Sequence, residues 1–232
     1  MIRPDPPAFR DAVQRVEAEQ GRPLSFEEKI VLREKMGISI AYADDVFDRQ
    51  AADEKLALVH KDIKEAKNRA DLILFMPHAG GQFNTEPGAF SRYVIEKAVT
   101  FGCDAVLAGH SHTTQRAEWR GSCPVYYSLG NVSMSSRTVY SQLQTLPQYG
   151  IISHLYAEGK RIVKSTYTVF MISEKDGSPM RVVPVCDYFA ELSDPADRER
   201  FLAEVRQVTA RVSGFSAPGE DQLQREYDLP RL

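Results

Sequence analysis

The spacing of apolar residues in the first half of the chain alternates between a helical and a strand period. Apolar positions three and four residues apart predict helices over 8–20, 25–36, 53–69 and 89–101. Short apolar runs bounded by polar residues predict strands over 38–43, 71–76 and 104–108. A strand-helix-strand-helix-strand order is that of a βαβ series, which favours parallel strand pairing with right-handed crossovers.

The boundaries of the second helix carry local signals. Ser25 with Glu28 forms a capping box at its start, and Gly37 stands where a left-handed cap would end it.

Beyond residue 112 the pattern changes to short strands separated by turn residues. These strands are predicted over 115–120, 123–128, 149–156, 161–172 and 179–185. Turn dipeptides such as Arg120-Gly121 and Glu158-Gly159 favour antiparallel pairing here. An amphipathic helix over 195–212, entered through Asp194-Pro195, precedes a polar tail.

Composition and charge exclude several classes of function. The 232 residues are 43% hydrophobic and 26% charged, as in a globular protein of one or two domains. A net charge of -3, without Lys/Arg runs among aromatics, predicts no nucleic-acid partner. No apolar run approaches the roughly 20 residues of a transmembrane helix. The first residues lack the regions of a secretory signal, so the chain as written is expected to be soluble.

Three of the five histidines stand at the ends of predicted strands. His78 ends the strand over 71–76, and His110 and His112 follow the strand over 104–108. Side chains at i and i+2 of an extended segment project to the same side, so His110 and His112 can converge. Because parallel strands end at a common edge where α/β sheets bind ligands, His78 is expected beside them. Imidazole suits zinc, iron and related metals, so the pattern predicts a metal site.

Other polar residues are weaker candidates. Asp44 and Asp45 follow a predicted strand and could add carboxylate ligands, but a helix cap or a solvated loop is the favoured interpretation. Gln82, Asn84 and Glu86 could line a pocket near His78, although loops are polar by default.

The remaining notable side chains are interpreted as structural. His60 is expected on a solvated helix face, His154 within a strand, and Trp119 in packing. Cysteines stand at 103, 123 and 186, too widely spaced for a zinc ribbon, and are predicted to be buried free thiols.

Three blocks of sequence together resemble the capsule-synthesis CapA family of calcineurin-like metallophosphoesterases. They are Asp71–Gly81, which contains His-Ala-Gly-Gly, then Gly102–Gln115, which contains Gly-His-Ser-His, and Val125–Asn131, which ends Tyr-Ser-Leu-Gly-Asn. Ser111 replaces the usual proline and Val132 a common aromatic residue. The resemblance is clear over 37–135, weaker to about residue 190, and receives nothing from 1–36.

The resemblance implies an α/β fold, a calcineurin-like αββα sandwich of two mixed sheets flanked by helices. It also implies a dinuclear centre of divalent transition metal ions, Mn, Fe or Zn, with His78 and His110 on one ion and His112 on the other. Such centres activate a hydroxide and stabilise charge on a phosphoryl oxygen. The substrate would be phosphorylated or an envelope polymer, and the location would be the cell envelope.

The ligands that such a family contributes from its amino-terminal half are missing from the sequence. No Gly-Asp strand end and no Asn-His pair occurs in the 232 residues. We therefore expect the chain to be the carboxyl-terminal part of a longer protein, with a shortened member holding half a site as the other option. Its expected divisions are a helical lead-in over 1–36, a metallophosphoesterase-type domain over 37–190, and a helix with a polar tail over 191–232.

Two functions of different classes follow from these observations. The first is a metal-dependent hydrolase or assembly factor in capsule or poly-gamma-glutamate synthesis, with no catalytic residue assigned. The second is a catalytically silent scaffold of the same family, because half of the metal site is absent. An amidohydrolase barrel, which can also open with His-x-His, is disfavoured because antiparallel strands follow the motif.

Overall fold

The computed structural model describes residues 7–36, 44, 47–134, 145–174, 179–214 and 223–231. Its helices are α1 (Pro7–Gln20), α2 (Phe26–Lys35), α3 (Arg49–Ala66), α4 (Ala89–Thr100), α5 (Val185–Glu191) and α6 (Pro195–Ser213). Its strands are β1 (Leu74–Phe75), β2 (Ala105–Leu107), β3 (Ala117–Arg120), β4 (Cys123–Tyr126), β5 (Tyr149–Glu158), β6 (Arg161–Ser173), β7 (Arg181–Pro184) and β8 (Tyr227–Asp228).

The first sheet has the strand order β1-β2-β4-β3. β1, β2 and β4 pair in parallel, and β3 pairs antiparallel with β4. Side chains of this sheet and of helices α3 and α4 share a buried apolar cluster that includes Ile63, Ile95, Ala98, Val106 and Val125. The parallel βαβ arrangement predicted for β1, α4 and β2 is therefore confirmed.

The second sheet is built on a long antiparallel hairpin of β5 and β6. β7 and β8 also pair with β6, and every pairing in the described part of this sheet is antiparallel, as the turn-rich pattern predicts. Tyr149 and Val169 share a buried cluster with Val205 and Val208 of α6. Tyr126 of β4 belongs to the same cluster, so the two sheets share a core. Two sheets flanked by helices confirm the predicted α/β sandwich.

Capping decides where two of the helices begin. The capping box is confirmed, because Glu28 N donates to Ser25 Oγ at 3.2 Å and Ser25 N donates to Glu28 Oε2 at 2.8 Å. The helix predicted over 53–69 begins earlier, at Arg49, because the carboxylate of Asp48 accepts a hydrogen bond from Ala51 N at 3.1 Å. The predicted strand over 38–43 and the predicted cap at Gly37 lie outside the described residues.

The strand predicted over 71–76 is shorter and less buried than expected. Only Leu74 and Phe75 form β1. Ile73 is 8% exposed, but Leu74 is 48% and Met76 is 66% exposed. β1 is the outermost strand of the first sheet in the described part of the chain, so its side chains lack neighbours on one flank.

Three features bear on the other expectations. Helix α5 and strand β8 were not predicted, because each is too short to show a period. All three cysteines are free, with Cys103 and Cys123 buried and Cys186 half-buried. None of the helices in the described ranges is both long and apolar enough to cross a membrane.

Candidate functional site

The parallel pairing of β1 and β2 continues past both strands and brings two histidine-bearing ends together. Gly109 N donates to Pro77 O at 3.1 Å, and His78 and Gly109 form a parallel bridge. His78 and His110 therefore leave adjacent strands at the same edge of the sheet. We call residues 109–114 the histidine loop.

His78 and His110 are in direct contact. His78 Nε2 and His110 Nδ1 are 3.0 Å apart, and the ring centroids are 4.7 Å apart at an interplanar angle of 76°. Burial lowers the pKa of the His110 imidazole, and the neighbouring rings of His78 and His112 lower it further. The His110 ring is therefore held toward its neutral form, which is the form that binds metals.

His112 lies beside this pair, with its ring held by Asn131. The ring centroids of His110 and His112 are 6.2 Å apart. Asn131 Nδ2 donates to His112 O at 2.8 Å and to Pro147 O at 3.0 Å, which fixes the orientation of the amide. Its Oδ1, 2.8 Å from His112 Nδ1, must then accept a hydrogen bond from that nitrogen. In the neutral ring this leaves the lone pair on Nε2.

The histidine loop has a strained backbone. φ is 100° at His110 and 57° at His112, values that are uncommon for residues other than glycine and cost about 1–3 kcal/mol each. Phe83, with φ 56°, donates its N–H to Ser111 O at 2.5 Å. The Ser111 hydroxyl donates to Thr113 O at 2.6 Å. Such conformations persist only where surrounding contacts enforce them.

Asp44 caps helix α4. Its buried carboxylate accepts hydrogen bonds from Gly88 N at 2.8 Å, from Ser91 N at 3.1 Å and from the Ser91 hydroxyl. Gly80 lies against this cap, since a Cβ at Gly80 would stand 2.3 Å from Ser91 Oγ. The geometry favours the cap interpretation of Asp44 over ligation, and Asp45 lies outside the described residues.

The loop after His78 is tied to the histidine loop through its main chain. Gln115 Nε2 donates to Asn84 O at 2.8 Å, so the Asn84 main chain is engaged. Glu86 is exposed, and Gln82 is half-buried. Nothing in these contacts assigns Gln82, Asn84 or Glu86 a chemical role.

The residues expected to be structural are found in packing contacts. Trp119 Nε1 donates to Leu229 O at 3.0 Å. The exposed His60 ring stacks on Phe101 at 4.3 Å between centroids. His154 Nε2 lies 2.8 Å from Thr168 Oγ1 within the second sheet.

Two residues at this site escaped sequence reasoning. Asn131 stands in the third of the sequence blocks described above, but nothing in the sequence shows that its amide binds His112. Arg211 of α6 donates to Thr113 Oγ1 at 2.7 Å, although 98 residues separate them in the sequence. No local pattern could have revealed that contact, because Arg211 looks like any basic residue in the last turn of a helix.

The histidine pair fits a metal ion only in part. Imidazole nitrogens bind zinc at about 2.0–2.1 Å, so two such nitrogens at a right angle lie about 3.0 Å apart. His78 Nε2 and His110 Nδ1 have that spacing. In the described part of the chain, however, no group of three or more His, Cys, Asp or Glu side chains is arranged to hold one ion. Further ligands would have to come from outside this group.

Comparison with known proteins identifies the family. The family described as "Bacterial capsule synthesis protein PGA_cap" matches residues 11–136, more than half of the chain, and this chain belongs to it. The family has a calcineurin-like fold. All three site histidines lie inside the match.

Two curated relatives are similar to shorter parts of the chain. The "PGA biosynthesis protein CapA" of Bacillus subtilis (strain 168) is 26% identical over 87 residues, which cover 38% of this chain and 23% of the relative. The "Capsule biosynthesis protein CapA" of Bacillus anthracis is 25% identical over 135 residues, which cover 58% of this chain and 31% of the relative. The chain thus spans less than a third of the length of either relative.

The family match also corrects one boundary. It begins at residue 11, inside α1, whereas the sequence analysis gave 1–36 no part in the resemblance. The helical pair α1 and α2 therefore lies largely within the matched region. Everything beyond residue 136, including the second sheet and α6, lies outside the match.

Proposed function

We propose that this chain acts in the synthesis of a bacterial capsule polymer at the cell envelope, as the histidine-bearing part of a metal-dependent hydrolase or assembly factor. The observation that carries the proposal is the convergence of His78 and His110 at 3.0 Å, with His112 beside them, inside the region matched by the capsule-synthesis family. The curated relatives named for capsule and PGA biosynthesis support the biological role. The substrate class we propose is a phosphorylated compound or the envelope polymer itself.

The proposed roles of the histidines follow from their nitrogen atoms. His78 would contribute Nε2 and His110 Nδ1 to one divalent ion of Mn, Fe or Zn, while His112 would contribute Nε2 to a second. Asn131 would orient the His112 ring by accepting its Nδ1 proton. When bound, such ions supply Lewis-acid activation of a phosphoryl group.

Metal counting tests this proposal directly. The protein is stripped with a chelator, incubated with manganese, iron or zinc in separate samples, desalted, and its bound metal measured by mass spectrometry. We expect metal in the wild type and a loss in His110→Ala, with His60→Ala as the matched control on the exposed face of α3. No bound metal in the wild type, or unchanged metal in His110→Ala, would contradict the ligand assignment.

A catalytically silent scaffold is the second candidate function. It is favoured by the described side chains, which form no three-residue metal group, and by the missing Gly-Asp and Asn-His motifs. Turnover of an aryl phosphate ester by this polypeptide alone, lost in His112→Ala, would exclude the scaffold. A protein that binds no metal and turns over no such ester would favour it over the hydrolase.

A further inference from the structure

Arg211 connects the last turn of α6 to the histidine loop. Its Nη1 donates to Thr113 Oγ1 at 2.7 Å and to Thr145 O at 2.8 Å. Longer contacts of 3.4 and 3.5 Å reach the main-chain and side-chain oxygens of Thr114. Because Thr113 directly follows His112, the guanidinium is anchored one residue from the His112 backbone.

The partners of Arg211 are buried and joined to one another. Thr113 and Thr114 have no exposed surface. The Thr113 hydroxyl accepts from Arg211 and donates to Thr145 O at 2.6 Å, so both side chains converge on one carbonyl oxygen. Thr145 precedes Leu146, which has a φ of 59°. The guanidinium therefore joins two backbone stretches that each contain a left-handed residue.

Asn131 closes the same connection from the opposite side. Its amide donates both to His112 O and to Pro147 O, two residues beyond Thr145. His112 is thus flanked by two side chains that tie the histidine loop to residues 145–147. Hydrogen bonds from a charged donor are stronger than neutral ones, so the Arg211 tie is the stronger of the two.

We propose that Arg211 is a positioning residue for His112, which holds the strained histidine loop against residues 145–147 and thereby fixes the His112 ring on Asn131. It does so from a helix outside the family match. This role concerns the conformation of the metal-free protein. It therefore stands or falls independently of the proposed metal chemistry.

Nuclear magnetic resonance of the isotopically labelled full chain, with a chelator present, tests the proposal. The ring nitrogens of His112 should show a single tautomer, with the proton on Nδ1, and its main-chain shifts should report a left-handed φ. In Arg211→Met we expect both signatures to be lost, while the ring signals of His154 stay as in the wild type. Arg211→Lys, which keeps a charged donor, should restore them in part.

Two controls separate positioning from a general loss of stability. Val208→Ala removes buried apolar volume from the same helix and should leave the His112 signatures intact. Arg206→Met changes an exposed arginine of the same helix and should do the same. Unchanged His112 signals in Arg211→Met, or equal changes in Val208→Ala, would overturn the proposal.

A second variant keeps the test decisive if Arg211→Met does not fold. Thr113→Val removes the hydroxyl that links Arg211 to Thr145 and preserves the side-chain shape. We expect the same loss of the single His112 tautomer. A wild-type His112 spectrum in folded Thr113→Val would contradict the proposal.

Discussion

Asn131 satisfies three polar groups of the site with one side chain. Its amide nitrogen donates to His112 O and Pro147 O, and its oxygen accepts from the His112 ring. Asn131→Ala leaves these groups without their partner, so we expect the free energy of unfolding to fall by about 1–3 kcal/mol. If His112 binds metal, its loss of orientation should also weaken affinity by about 10–100-fold.

Denaturant unfolding and metal titration measure these two effects. Asn84→Ala is the matched control, because the described hydrogen bond at Asn84 uses its main-chain oxygen. Equal stability losses in the two variants would contradict the role given to the Asn131 amide.

His110 makes the metal-free protein sensitive to mild acid. Burial and the adjacent histidine rings lower its pKa in the folded protein, so the unfolded chain takes up the proton first. As pH falls from about 6.5, the usual histidine value, toward the lower folded pKa, the free energy of unfolding should decrease. Above about pH 6.5 the contribution of His110 to this dependence should vanish.

The dependence is measured by denaturant unfolding at a series of pH values with a chelator present. His110→Gln should have a smaller slope below pH about 6.5 than the wild type, whereas His60→Gln should keep the wild-type slope. A His110→Gln slope equal to that of the wild type would show that His110 is not the responsible group.

At the scale of elements, helix α4 depends on a residue from outside its own segment. The Asp44 carboxylate accepts from Gly88 N, Ser91 N and the Ser91 hydroxyl at the start of α4. Asp44→Ala leaves these buried donors unpaired, and we expect a loss of about 2–3 kcal/mol in the free energy of unfolding. Amide exchange in the first turn of α4 should accelerate.

Asp48→Ala provides the comparison. Asp48 caps α3 from the adjacent position at an exposed site, and its loss should cost about 1 kcal/mol. Unfolding in urea and hydrogen exchange at Ser91 measure the difference. A loss in Asp44→Ala no larger than that in Asp48→Ala would contradict the buried cap.

Elements with a long, regular period were the ones that sequence could predict. The helix predicted over 195–212 is observed as α6, and the strand over 161–172 as β6, each with one residue more at its end. β1 was overestimated, because an apolar run does not show that its strand lies at the edge of a sheet.

The same physical limit applies to the site. Strand ends were readable, and His78 and His110 are together because parallel strands end at one edge. The ties made by Asn131 and Arg211 were not readable, because they depend on how distant segments pack. Their metal ligation stays a prediction.

At the scale of the whole molecule, the outermost strand of the described first sheet presents apolar side chains to solvent. Leu74 and Met76 are 48% and 66% exposed at β1. Apolar residues on an unpaired strand edge favour association between copies, and the chain spans less than a third of either curated relative. We therefore expect concentration-dependent self-association of this chain, which sedimentation velocity measures. Leu74→Lys with Met76→Lys should lower the average mass, whereas Leu58→Lys, at an exposed position on α3, should not. A cleanly monomeric wild type that unfolds cooperatively at every concentration would contradict this expectation and the interpretation of an uncovered sheet.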